Sequence, residues 1–73
     1  MSARDKFRIE IVTAHPHPDV TVYVAELLWM AHIDEEWHLQ DQSTGNTPEE
    51  AEAKLREFYA SESAIAEAPA VHV

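Results

Sequence analysis

The sequence predicts an α+β fold in which a three-stranded antiparallel sheet is followed by one packed C-terminal helix. Three observations carry this. Lys6-Phe7-Arg8-Ile9-Glu10-Ile11 alternates polar and apolar residues strictly, the period-two mark of a strand with one buried face. Asp19-Val20-Thr21-Val22-Tyr23-Val24 is dense in β-branched and aromatic residues, as a second strand would be. Thr47-Pro48-Glu49-Glu50 has the N-cap, first-turn proline and third-position acid that open a helix.

The elements follow in chain order. The first strand runs on through Val12-Thr13-Ala14 into His15-Pro16-His17-Pro18-Asp19, where two prolines remove ladder donors and set a turn. The second strand then returns antiparallel to the first. Residues 25–40 are contested, because Ala25-Glu26-Leu27-Leu28-Trp29-Met30-Ala31 is rich in helix formers. Wrapped on a helix, however, Leu27, Leu28, Trp29, Met30, Ile33, Trp37 and Leu39 scatter around the whole circumference and form no stripe. Glu36-Trp37-His38-Leu39-Gln40 alternates cleanly, so a hairpin is expected, turning at Asp34-Glu35 or Asp34-Glu35-Glu36. The apolar parity of the long second strand shifts between Val24 and Leu27, which predicts a bulge or a break around Ala25-Glu26.

In the helix, Ala51, Leu55, Phe58 and Tyr59 supply the sheet-facing side, and Glu50 with Lys54 and Glu52 with Arg56 form i,i+4 pairs. Pro69 stops any continuation. The expected organisation is a single β-β-β-α domain over residues 1–60, with a helix extension and mobile tail over 61–73.

Composition bounds the function. The chain has 73 residues, no Cys, and 14 Asp plus Glu against 5 Lys plus Arg, a formal charge of −9. Eleven of its hydrophobic residues are alanine, so the core is small for independent stability, and a second protein chain is the natural staple. Between Ile9 and Ala53 there are ten acids and no Lys or Arg, which disfavours direct nucleic-acid binding, since that depends on cations. Halophilic surfaces carry the same acidity. No stretch is long and apolar enough to span a bilayer, and no secretory signal precedes the first strand, so a cytoplasmic protein is expected.

Chemistry-bearing constellations are few. His15 and His17 have the spacing of two metal ligands, but no third ligand is fixed by spacing, and the expected reading is a proline-stiffened turn with solvated histidines. Ser43 and Thr44 lack the Gly-flanked elbow of an activated nucleophile. No cofactor, metal or catalytic residue is therefore expected. The candidate partner-binding residues are Trp29 and Trp37, as aromatic anchors, with the acidic hairpin tip Asp34, Glu35 and Glu36.

The strand, strand, strand, helix order with Gly45-Asn46-Thr47-Pro48-Glu49-Glu50-Ala51 and Val22-Tyr23-Val24-Ala25-Glu26-Leu27 resembles the N-terminal domain of HicB-type antitoxins. That family's Pro-Gly after the acid-Leu pair is absent here. The order is also similar to a double-stranded RNA-binding domain without its first helix. In that family basic residues open the last helix; here Pro48, Glu49 and Glu50 stand there, so the resemblance does not carry the RNA activity. Together these readings predict a small acidic, non-enzymatic protein that binds and inhibits or regulates another protein with a basic surface. The alternative is a homo-oligomeric assembly protein joined through sheet edges.

Overall fold

The computed structural model describes residues 6–31, 33 and 35–73. The candidate residue Asp34 lies outside them, as do His32 and residues 1–5. The chain is α+β. Strand β1 (Lys6–His17) pairs antiparallel with β2 (Val20–Met30) across a tight turn at Pro18-Asp19. Pro16 sits where the pairing loses register, between Ala14 and His17, as a residue without an N–H must. Strand β3 (Trp37–Gly45) then pairs antiparallel with β2, so residues 25–40 form the hairpin that periodicity favoured over propensity. Glu35, in its connection, has φ 54°, and its N–H donates to the Ala31 carbonyl at 2.9 Å.

The helix α1 (Pro48–Phe58) starts as its sequence requires. Thr47 Oγ1 accepts from the Glu50 N–H at 3.0 Å, and Glu50 Oε1 accepts from the Asn46 N–H at 2.6 Å. The back-reaching carboxylate thus caps one residue earlier than in the usual reciprocal box. Gly45 ends β3 against this first turn. A Cβ there would come within 2.6 Å of the Ala51 backbone nitrogen, so glycine is what permits the approach.

Two sequence expectations about the sheet are corrected. Among the described residues it has four strands, not three, and it is mixed: the order is β3-β2-β1-β4, with β4 (Ala70–His72) parallel to β1. The segment expected as helix extension and tail folds back through a short helix α2 (Ser63–Ala66). It satisfies the open edge of β1: the Ile9 N–H donates to the Pro69 carbonyl at 2.8 Å and the Val73 N–H to the Ile11 carbonyl at 3.0 Å. Arg56 fastens this return. Its Nη1 and Nη2 donate to the carbonyls of Ala66 and Ala68 at 2.6 and 2.7 Å, and its Nε to Glu52 Oε2 at 2.7 Å.

The second correction concerns the bulge. Strand β2 is continuous, and the irregularity lies in β3, where Leu27 pairs with Asp41 but Leu28 with Leu39, leaving Gln40 as the extra residue. The parity of β2 does not shift. Tyr23, Ala25, Leu27 and Trp29 point to the helix side, while Val22, Val24, Leu28 and Met30 point to the other. Both faces of the strand are apolar, which looked like a shift in one.

The core lies between the sheet and the helices. It comprises Ile9, Ile11, Ala25, Leu27, Ala51, Leu55 and Ile65, with Phe7, Tyr23 and Tyr59 partly buried against it. Phe58, expected to pack there, is 77% exposed; Ile65 of α2 is buried instead. Two layers account for the thickness, since the smallest Cα extent is 15 Å. Among the described residues, no layer covers the second face of the sheet.

Candidate functional site, the uncovered face of the sheet

The pairing registers assign the uncovered face row by row, because cross-strand partners share a face. Lys6, Met30 and Trp37 form the first row, and Arg8, Leu28 and Leu39 the second. The third row is charged: Val71, Glu10, Glu26 and Gln42 lie side by side across all four strands. Val12, Val24 and Thr44 form the fourth, and Ala14 with Val22 the fifth. Apolar side chains thus flank a central polar row. Leu39 is 56% and Val71 47% exposed, while Val12, Val22, Val24, Leu28, Met30 and Trp37 are half-buried.

The electrostatics of the face are local. The Arg8 guanidinium lies 4.4 Å from the centre of the Trp37 ring, close enough for cation–π attraction, and Arg8 pairs with Glu10 two residues along the same strand. Arg8 Nε is buried without a hydrogen-bond partner. Glu26 stands directly opposite Glu10, a like-charge placement that destabilises a ladder. No described cation pairs with Glu26.

The structure separates the residues singled out from sequence. Trp37 is on the uncovered face, under Arg8. Trp29 is on the helix side, with its ring 5.2 Å from that of His38. Neither is fully buried. Glu35 and Glu36 are exposed in the connection between β2 and β3. The described acids of the central stretch do not form one patch: Asp19 is in the first turn, Glu49 and Glu50 are in the first turn of α1, and Glu52 is bound to Arg56. The residues that sequence reading missed are the apolar ones at even positions of β2. Their signal was present, as large apolar residues at both parities of one strand.

The edge of β3 is less available than the face. The Gln42 N–H donates to Asp41 Oδ1 at 2.8 Å, and Lys54 Nζ donates to the Thr44 carbonyl at 3.0 Å. Gln42 and Thr44 are two residues apart, so these backbone groups lie on one side of the strand, and side chains take what an added strand would need. With the bulge at Gln40, this is how natural edges are blunted. A groove of about 560 Å³ runs beside it, lined by Asp41, Gln42, Ser43, Lys54, Leu55, Glu57 and Phe58. At its rim the Tyr59 hydroxyl donates to Asp41 Oδ2 at 2.8 Å. That bond, followed by burial, raises the Tyr59 pKa from its ordinary value of 10.0.

His15 and His17 lie exposed at the far end of β1, with His15 Nδ1 3.3 Å from Thr21 Oγ1. Among the described residues no group of three His, Cys, Asp or Glu is placed to hold a metal ion. No described helix is long and apolar enough to cross a membrane. No family model matches the chain, and neither a curated protein nor a solved structure is significantly similar to it.

Proposed function

We propose that this chain is a non-enzymatic protein-binding module whose uncovered sheet face is the surface by which it joins another protein chain. The observation that carries the reading is that face: apolar side chains from all four strands, opposite the face that the described helices cover. Contiguous exposed apolar surface of this kind marks an interaction site in a small domain. Its polar centre gives the docking direction and register, as charges in an interface do. The remaining acids, at the turn, the β2–β3 connection and the helix start, suit a basic partner and agree with an inhibitor or regulator of the antitoxin kind. The guarded β3 edge favours the face over the edge as the route of association.

The test compares two exposed apolar positions on opposite sides of the molecule. Leu39→Asp lies on the uncovered face and Phe58→Asp on the groove beside α1. Affinity capture with each variant, read by mass spectrometry, should lose specific protein partners with Leu39→Asp and keep them with Phe58→Asp. Identical captured sets with both variants would sink the proposal.

A further inference from the structure

We infer that a second copy of this chain occupies the uncovered face, the two sheets packing face to face with Arg8 of each copy over Glu10 and Glu26 of the other. This rests on the reading of that face as a docking surface, and names its occupant. The first argument is charge. Although the chain carries −9, Lys6 and Arg8 balance Glu10 and Glu26 on this face, so it is locally neutral and a second acidic copy can approach it.

The second argument is symmetry. The cationic row and the acidic row are adjacent, two residues apart along β1 and β2, about 6.8 Å. A two-fold axis lying across the strands between them brings each row over its opposite in the other copy, as a self-complementary interface requires. Met30 and Trp37 of one copy then cover Val24 and Thr44 of the other. Glu26, which has no described cation and faces Glu10 across the ladder, gains one.

The third argument is size. The four rows that this axis superposes, across three strands about 4.8 Å apart, project to roughly 400 Å² per copy before side-chain relief is counted. Doubled, that approaches the lower bound of about 1,000 Å² for specific interfaces. The association is therefore expected to be concentration-dependent, and sheets packed about 10 Å apart would bury the apolar rows as in a β-sandwich.

The test is a charge exchange followed by analytical ultracentrifugation. The parent chain should be dimeric at high micromolar concentration. Arg8→Glu and Glu26→Arg should each weaken self-association at least tenfold, whereas Glu49→Arg, which makes the same charge change as Glu26→Arg away from the face, should not. An equimolar mixture of Arg8→Glu and Glu26→Arg chains should dimerise more strongly than either variant alone, because both crossed contacts between positions 8 and 26 are again of opposite sign and only one crossed contact with Glu10 stays like-charged. In a Trp29→Phe background, the remaining Trp37 emission should shift to the blue as concentration rises, a readout that needs no charge variant to fold. A parent monomeric at all concentrations, single variants as dimeric as the parent, a mixture that stays monomeric, or an invariant Trp37 emission would each overturn the inference. If the parent is monomeric while Leu39→Asp still abolishes capture of a different protein, the second copy is excluded and the docking surface stands.

Discussion

Arg56 is the side chain whose removal tests most directly whether the C-terminal return belongs to the fold. It makes two hydrogen bonds to main-chain carbonyls of the α2–β4 segment and one to Glu52. A hydrogen bond to a charged group contributes about 1.5–3 kcal/mol. The Glu52 pair is partly exposed, at 26% and 29%, so screening reduces it to about 0.5 kcal/mol. The two carbonyl bonds share one guanidinium and do not add fully; Ala68 is only 4% exposed, so its carbonyl is poorly placed to regain water. Arg56→Met, which keeps the aliphatic stem, should therefore cost about 2–4 kcal/mol. At about 0.05–0.15 kcal/mol per residue a chain of this length has roughly 4–11 kcal/mol in all, so the loss is a large fraction. Urea unfolding followed by far-UV circular dichroism should show it, with the thermal midpoint lowered by about 10 °C or more. Hydrogen exchange gives the local reading, since the Ile9 amide donates into this return and the Val73 amide donates from it to β1, and both should lose protection. Arg56→Lys should fall between, because an ammonium lacks the fork. A cost below about 0.5 kcal/mol with Ile9 protection unchanged would refute the clamp.

Three further outcomes follow from the geometry. Gly45→Ala should destabilise by about 1–3 kcal/mol in the same urea assay, because the added Cβ meets the Ala51 backbone at 2.6 Å and only a shift of α1 relieves it. Glu35→Gly should be neutral to stabilising by up to about 1 kcal/mol, since Glu35 occupies the left-handed region at φ 54°; a clear loss would mean that its side chain anchors the connection. The Tyr59 phenol, titrated by its ultraviolet absorbance, should ionise above its ordinary 10.0, and Asp41→Asn should bring it back toward that value. Because the folded pKa is the raised one, the stabilisation is fully present below the unfolded value and fades as pH rises through the folded one. Asp41→Asn should accordingly change alkaline unfolding.

How much of this was legible in the sequence depends on whether local physics decided the outcome. The alternation from Lys6 to Ile11, the proline turn and the Thr47 cap are local, and all three formed where the residues required them. The hairpin over residues 25–40 was legible only through periodicity, because helix formers in β2 are overruled by pairing on both sides of that strand. Strand β4 was not legible. Ala70-Val71-His72 has three residues and no period, and what holds it is the unfilled edge of β1 together with Arg56, both distant in sequence. Phe58 failed for a related reason, as α1 ends there and Ile65 from α2 joins the core instead. The two tryptophans illustrate the remaining limit: Trp29 and Trp37 are both on strands of one hairpin, yet the extra residue Gln40 and the hairpin register send them to opposite faces.

The small core and the acidic charge, which the sequence presents as separate facts, meet at the uncovered face. Among the described residues, only Ile9, Ile11, Leu27, Leu55 and Ile65 are both large and buried. Much of the chain's other apolar area has been placed on β1, β2 and β3 where no helix reaches it. A chain selected only to fold alone would have polar residues at Val24, Leu28 and Leu39, because an antiparallel sheet with one wet face ordinarily alternates. Strand β2 does not alternate. The acids concentrate away from these positions except at Glu10 and Glu26, and there the chain supplies Arg8 and Lys6 on the same face. High net charge keeps chains apart at long range, while a neutral apolar patch allows them to meet in one orientation. That combination selects a specific contact over indiscriminate aggregation, and it predicts that adding salt should strengthen association at first, by screening the long-range repulsion. Salt-induced dissociation beginning from the lowest ionic strength would show instead that the crossed ion pairs, and not the apolar rows, carry the contact.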